Sequence, residues 1–470
     1  MIRQWRALEP WIETSEAATQ GYSYHTVALK KLFTRRVAPI DKSARPLDTL
    51  NVIAKVTFGG ELFLRGEKEK RSYKGPLFEA LPGDLIISKI RVGQGSFCVI
   101  DDRLSHVAVS PEYPVYTPDP LQVLPRFLAM VLRTPEFMRR LTGSASGNTT
   151  KRRIRPAFFE SLKVPLPGLA EQQVIVAAYD AALKEAAAKE QAAEAAEAKA
   201  VADFEAALGF APPLPLPDKP IFVASFKDLD RWSHEGVLRR ITGGATGTSA
   251  WPVVQLGDVI ADLENGWSPK CLDRPAEPGE WGVLKLGAVS FGVFNELENK
   301  ALPANLKPRP KLEVKPAQVL VSRANISRLV GATALIGETR AQLLLCDKIF
   351  RMVWRSNSPI TPEFVTEVLR IGDVRRQIET KLTGTSPTMK NISKPSLLSL
   401  TFPLPPIADQ RTLIASLNAE RAEASRLRTE AAAVRVNAWA AFEAAVYAAD
   451  AKTSAAAPNP TNEAPAEALA

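Results

Sequence analysis

The chain has 470 residues, enough for about three domains of average size, and its 46% apolar and 24% charged content excludes disorder throughout. Lys and Arg outnumber Asp and Glu by 60 to 51, and the resulting charge of +9 is compatible with a polyanionic partner without demanding one. Cys98, Cys271 and Cys346 each stand alone, as do His25, His106 and His234, which excludes a disulfide scaffold and a cysteine-rich zinc site.

Residues 1–10 lack the apolar core of a secretory signal, and no apolar run reaches the length of a bilayer span. The expectation is a cytoplasmic protein with no membrane partner. Residues 1–163 form a first globular part. Short β-branched runs such as Asp84-Leu-Ile-Ile-Ser88 alternate there with Gly and Pro, and a helical stretch is predicted over 124–141. A proline turn and long helix follow over 164–208, with 17 alanines in the 39 positions from 170 and no Pro or Gly among them. Gly209, Pro212 and Pro213 supply its stop signals. Residues 209–250 are a proline-rich linker and entry segment. A second globular part spans 251–401, with a short strand at Gln318-Val-Leu-Val-Ser322 and a helical stretch over 362–382. A second proline turn and helix cover 402–449, and residues 450–470 have the composition of a disordered tail.

The chain is written twice. At a constant offset of 238 residues, Thr150, Ile154, Ser161, Leu162, Pro165, Leu166, Pro167, Ala170 and Gln172 all recur, and Glu171 returns as Asp409. Upstream, Pro82-Gly-Asp-Leu-Ile-Ile-Ser-Lys89 parallels Pro316-Ala-Gln-Val-Leu-Val-Ser-Arg323. Pro135-Glu-Phe137 resembles Pro362-Glu-Phe364 as a tripeptide only. In the second helix Leu413, Leu417, Glu420, Ala424, Leu427, Ala431, Val434, Ala438, Ala441 and Ala445 alternate four-three spacing, a heptad seam with one charged interruption. A seam of alanine needs close approach to a partner, either the other helix or a second chain. The predicted fold is α/β (α+β): two globular domains joined by two long antiparallel helices in a pseudo-two-fold repeat.

Basic residues cluster at matching places in the two halves. Lys151, Arg152, Arg153 and Arg155 follow the amide-rich segment that contains Asn148, and Lys390, Asn391 and Lys394 occupy the corresponding stretch. Lys89, Arg91 and Gln94 follow the first short strand, and Arg323, Asn325 and Arg328 follow its counterpart. Cations beside hydroxyls and free main-chain amides suit phosphate oxygens, while Arg, Asn and Gln can bridge base edges. For each residue alone, solvated surface charge is the plain alternative. Catalytic motifs are missing: there is no Gly-Lys pair for a phosphate loop, no His-Glu-x-x-His, no Gly-x-Ser-x-Gly and no adenine-methyltransferase signature.

With these features the chain resembles the specificity subunit of type I restriction–modification systems. The most telling marks are Val164-Pro-Leu-Pro-Gly-Leu-Ala-Glu-Gln172 and Phe402-Pro-Leu-Pro-Pro-Ile-Ala-Asp-Gln410, each ahead of a long helix. The resemblance implies two target-recognition domains at opposite ends of a helix pair, each reading one half of a split, asymmetric site on double-stranded DNA. It further implies a non-catalytic chain without a cofactor of its own. S-adenosylmethionine, ATP and Mg²⁺ would be used by partners, namely adenine methyltransferase subunits and a restriction motor–nuclease subunit. Glu171, Gln172, Asp409 and Gln410, at the two junctions, are the expected partner-binding residues. A second function class stays open: a coiled-coil adaptor of a phage-defence complex whose domains bind protein and not DNA.

Overall fold

A computed structural model describes residues 22–57, 60–89, 96–143, 154–210, 223, 249–384 and 389–447. It divides into two units, Met1–Lys189 with Thr429–Ala470, and Glu190–Arg428.

Among the described residues of the first unit ten short strands run in order: β1 (Thr26–Ala28), β2 (Phe33–Arg36), β3 (Asn51–Val56), β4 (Leu62–Leu64), β5 (Phe78–Ala80), β6 (Leu85–Ile87), β7 (Phe97–Val99), β8 (Val107–Val109), β9 (Val115–Pro118) and β10 (Lys163–Pro165). They form one antiparallel sheet of order β2-β9-β6-β7, another of order β4-β3-β8-β5 in which β3 and β8 run parallel, and the pair β1-β10. Leu85, Ile86 and Ile87 are all buried because β6 is covered on both faces, which explains its unbroken apolar run. An aromatic cluster closes the core: Phe159 stacks with Phe33 and Phe97 at 5.9 and 6.1 Å and meets Phe137 edge-on at 6.3 Å.

The second unit repeats this plan. Its strands are β11 (Val253–Gln255), β12 (Ile260–Asn265), β13 (Gly282–Leu284), β14 (Val289–Ser290), β15 (Val293–Phe294), β16 (Asn299–Ala301), β17 (Val319–Ser322), β18 (Ala324–Asn325), β19 (Thr333–Leu335), β20 (Leu343–Leu344), β21 (Ile349–Trp354), β22 (Lys390–Asn391) and β23 (Thr401–Pro403). The sheet β12-β21-β17-β19 matches β2-β9-β6-β7, the pair β11-β23 matches β1-β10, and β16-β13-β20 again holds one parallel pair. Equivalent main-chain bonds recur at the junctions: Leu29 N–H donates to Leu162 O at 2.9 Å, and Leu256 N–H to Leu400 O at 2.8 Å.

Each expected helical stretch ahead of a junction is two helices. Pro125–Val131 and Pro135–Gly143 are separated where Pro135 disfavours helix at Thr134, and Pro362–Val368 and Gly372–Thr380 are their counterparts. The true partner of Pro362-Glu-Phe364 is therefore Pro125-Arg-Phe127, and the Pro-Glu-Phe likeness at 135–137 is coincidental. Side-chain packing agrees, since Phe127 meets Phe442 at 6.1 Å in the first unit and Phe364 meets Phe204 at 6.0 Å in the second.

The long helices are Leu169–Ala207 and Ile407–Tyr447, of 39 and 41 residues. The first ends with Gly209 at φ +82°, with Phe210 N–H bonded to Glu205 O and Gly209 N–H to Ala206 O, the paired closure that a left-handed glycine permits. Within each unit the helices run antiparallel. In the first, Tyr179 meets Trp439 and Lys189 pairs with Glu430 at 2.9 Å. In the second, Glu197 pairs with Arg421 at 3.2 Å and Lys199 approaches Glu420 at 3.7 Å. Ala186 and Ala424 are fully buried, as are Ala193 and Ala431, at the seven-residue spacing expected of a seam. Toward the C-terminus of the second helix the seam differs from the expectation. Phe442 and Val446 are buried there while Ala441 is exposed, because the larger side chains reach the first unit's core.

Candidate nucleic-acid interface

In the second unit β18 and β22 pair antiparallel, with Ala324 opposite Asn391 and Asn325 opposite Lys390. Two basic segments more than sixty residues apart thus become one short ribbon. Ile392 N–H donates to Arg323 O at 3.0 Å, and Arg323 N–H donates to Lys348 O at 2.9 Å. The Arg323 guanidinium lies 5.4 Å from the Phe350 ring centroid and donates to Asp347 O at 3.3 Å, which holds the long side chain in place. Lys390 Nζ donates to Gly384 O at 2.6 Å.

The first unit builds the same scaffold. Ile154 N–H donates to Lys89 O at 3.3 Å, and Lys89 N–H donates to Glu112 O at 2.9 Å. Lys89 Nζ donates to Pro111 O at 2.6 Å, and Arg155 is exposed where the helix Pro156–Ser161 begins. The two scaffolds differ in charge at one equivalent place: Lys348 stands in the second unit where Glu112 stands in the first. Arg91, Gln94, Asn148, Lys151, Arg152 and Arg153 lie outside the described residues.

Several expected contacts are placed otherwise. Lys394 pairs with Asp262, and its hydrogen bond holds that carboxyl below the ordinary range, so the charge is largely answered within the protein. The Asn325 amide turns on its own backbone, accepting from Ile326 N–H at 2.9 Å and reaching Ser322 Oγ at 3.5 Å. Arg328 is exposed and lines a cleft beside Phe291 and Arg375.

Gln172 and Gln410 correct the partner-contact expectation most clearly, since both are fully buried. Gln172 Oε1 accepts from Leu124 N–H at 2.9 Å, while its Nε2 donates to Gln122 O at 3.0 Å and Pro167 O at 2.9 Å. Gln410 repeats the set with Thr361 N–H at 2.9 Å and with Pro359 O and Pro405 O at 2.8 Å. A side chain with its amide so used has no atom to offer a partner; it ties the proline turn to the globular part. Glu171 is exposed and accepts a bond from Tyr24, which pushes that phenol up to about 12. Asp409 is half-buried in the first turn of its helix, where the helix dipole favours a carboxylate.

Reasoning from sequence missed Lys348, Ser268 and Asp347. Ser268 Oγ bonds the Asp347 carboxylate, Asp347 N–H donates to Ser268 Oγ at 3.1 Å, and Lys348 is exposed beside them. Burial raises the Asp347 carboxyl, but its bonds from Ser268 and Lys348 outweigh that and hold it low. The signal available was positional: Lys348 lies where the strand β21 begins, next to the β17 end that carries Arg323. Among the described residues no group of three or more His, Cys, Asp or Glu side chains could hold a metal ion, and no helix is long and apolar enough to cross a membrane.

These features define a duplicated α/β chain whose halves each present a basic segment on an equivalent backbone scaffold. The type I restriction enzyme EcoEI specificity subunit of Escherichia coli is 36% identical over 169 residues, which cover 36% of this chain and 28% of that subunit. The StySPI specificity subunit of Salmonella potsdam is 22% identical over 293 residues, covering 62% of this chain and 57% of its own length. These matches therefore span about a quarter and rather more than half of the two relatives. A chain from a solved structure on complex assembly and conformational transition of the type I R-M system shares the fold. It has a TM-score of 0.56 at 16% identity, over 90% of this chain and 98% of that one. No family model matches the sequence. In sequence and in fold, the chain resembles type I specificity subunits.

Proposed function

We propose that this chain is the sequence-specific DNA-binding specificity subunit of a type I restriction–modification complex. Each half reads its own part of a bipartite, asymmetric target on double-stranded DNA. The chain itself is non-catalytic and directs adenine methyltransferase subunits and a restriction motor–nuclease subunit to that target. S-adenosylmethionine, ATP and Mg²⁺ serve those partners.

The observation that carries this reading is the repeated main-chain scaffold. Lys89 is bonded to Ile154 in one half as Arg323 is to Ile392 in the other, so each half brings its two basic segments together. A fixed backbone with cations on it positions a protein on phosphates, and a guanidinium held by stacking can read guanine at O6 and N7. Glu112 opposite Lys348 in the repeat makes the two halves electrostatically unlike, as readers of two different half-sites should be.

The test is a footprint of the chain, assembled with its methyltransferase, on a library of duplexes. Protection of two separated sequence blocks, with adenine methylation confined to them, is the expected result. Uniform binding to every duplex, or binding that is indifferent to salt, would exclude this function, because phosphate contacts release counterions and weaken steeply with salt.

A further inference from the structure

The two copies of the helix pair are not packed alike. In the first unit Tyr179 and Trp439 meet edge to face with centroids 5.9 Å apart, and Trp439 lies 5.5 Å from Phe442. At the same offset of 238 residues the second unit has Leu417 and Val201 in their places. Two aliphatic side chains cannot fill the space of a phenol and an indole. A cavity of 370 Å³ opens there, floored by Val201, Phe204 and Leu417. That volume lies within the range of small-ligand sites, ~300–1,000 Å³.

The walls of the cavity are charged. Arg328, Arg370, Arg375 and Arg421 line it against Glu197, Glu367 and Glu379, which leaves an excess of one positive charge. Arg421 pairs with Glu197 and with Glu367, and Arg370 pairs with Glu367. Arg375 donates to Val330 O at 2.8 Å and Arg328 O at 3.3 Å and sits 4.9 Å from the Phe291 ring centroid. Arg328 is exposed and has no ion pair among the described residues. Two turns let the guanidiniums come this close. A Cβ on Gly292, at φ +71°, would stand 2.6 Å from Arg370 Nη1, and one on Gly331, at φ +76°, would stand 3.1 Å from Arg375 Nη1.

We propose that this cavity binds a small organic anion with a flat apolar body, of the size of a nucleoside monophosphate or an aryl carboxylate. The flat body covers the floor of Val201, Phe204 and Leu417. The anionic group meets Arg328, whose planar fork suits a phosphate or a carboxylate alike. This site is distinct from the ribbon that carries Arg323 and Lys390, and the inference does not depend on the function proposed above.

The test is calorimetric titration of the full chain, free of DNA, with AMP, with benzoate, and with adenosine and inorganic phosphate as half-ligands. AMP or benzoate should bind, and whichever is tighter assigns the anionic group as phosphate or carboxylate. Each half-ligand should bind about tenfold more weakly or worse, since each lacks either the charged hydrogen bonds or the apolar contact. Arg328→Ala should weaken binding by a similar factor of about ten. The double variant Val201→Trp with Leu417→Tyr restores the filling used in the first unit and should abolish binding while the chain stays folded. Should that variant fail to fold, the loss with Arg328→Ala stands as the independent check. Absence of binding at millimolar AMP and benzoate, or affinity unchanged in either variant, overturns the proposal.

Discussion

The main-chain N–H of Ile392 donates to the carbonyl oxygen of Arg323 over 3.0 Å, joining two basic segments that the sequence keeps apart. With its backbone so held and its guanidinium stacked near Phe350, Arg323 is the side chain best prepared to read a base edge in the second unit. Arg323→Ala should weaken binding to the correct target by roughly 10- to 100-fold through one half-site only, the value of one good base contact. The melting temperature should fall only modestly, by the loss of the half-buried guanidinium's contacts with Phe350 and Asp347 O. Competition binding against duplexes changed in one half-site at a time checks this. An equal loss on every sequence would make Arg323 a phosphate contact.

The lysines near the ribbon separate into two kinds. Lys348 is exposed and shares the Asp347 carboxylate with Ser268, so its pairing at 3.2 Å answers its charge only in part, whereas Lys394 is the main hydrogen-bond partner of Asp262. Lys348→Ala should reduce the slope of log affinity against log salt by about 1, the effect of one lost phosphate contact. Lys394→Ala should leave that slope unchanged, because its charge is already answered. Binding measured across a salt series distinguishes the two, and equal slopes for both variants would refute the assignment.

Gln410 and Gln172 are structural, and their loss should be felt in folding. Gln410→Ala strands the Thr361 N–H and the Pro359 and Pro405 carbonyls, all of which bond to the amide. A buried group left unsatisfied costs about 1–3 kcal/mol. Denaturant unfolding should therefore show a destabilisation of that order for Gln410→Ala, and a similar one for Gln172→Ala. Glu171→Ala, at an exposed position next door, should cost far less. If Gln410→Ala kept full stability and lost only assembly with a methyltransferase, the partner role would return.

The duplication was legible because its strongest marks are local: the Pro-Leu-Pro turns, the acid-Gln pairs and the alanine-rich stretches that follow them. The long helices begin at Leu169 and Ile407, directly after the proline turns, whereas each shorter helical stretch is broken in two. What was not legible depends on tertiary neighbours. Strands β18 and β22 have two residues each, too few to carry a periodicity, so the ribbon that unites Arg323 with Lys390 left no trace in the pattern. The neutralisation of Lys394 depends on Asp262, 132 positions earlier, and a chain read in order cannot supply that pairing. Gln172 and Gln410 recur, and recurrence at a junction reads equally well as recognition or as architecture. Only their burial decides it.

All seven tyrosines of the chain fall in the first unit, so tyrosinate absorbance reports on that unit alone. Tyr24 is pushed up to about 12, first by its hydrogen bond to Glu171 and then by burial. Tyr447 is also raised to about 12, chiefly by burial, and burial raises Tyr116 further still. A phenol whose folded value lies above its unfolded value of about 10 holds its proton more tightly in the native state. The stability it contributes is therefore complete below pH ~10 and is lost as pH rises through about 12. The first unit should unfold in that alkaline window, with tyrosinate absorbance and loss of near-ultraviolet dichroism rising together. Glu171→Gln removes the carboxylate and should bring one phenol's titration back toward its ordinary value, with a small loss of stability at neutral pH, where the bond to Tyr24 contributes in full. An absorbance titration of Glu171→Gln that overlays the wild-type curve would show that Tyr24 and Glu171 are not in contact.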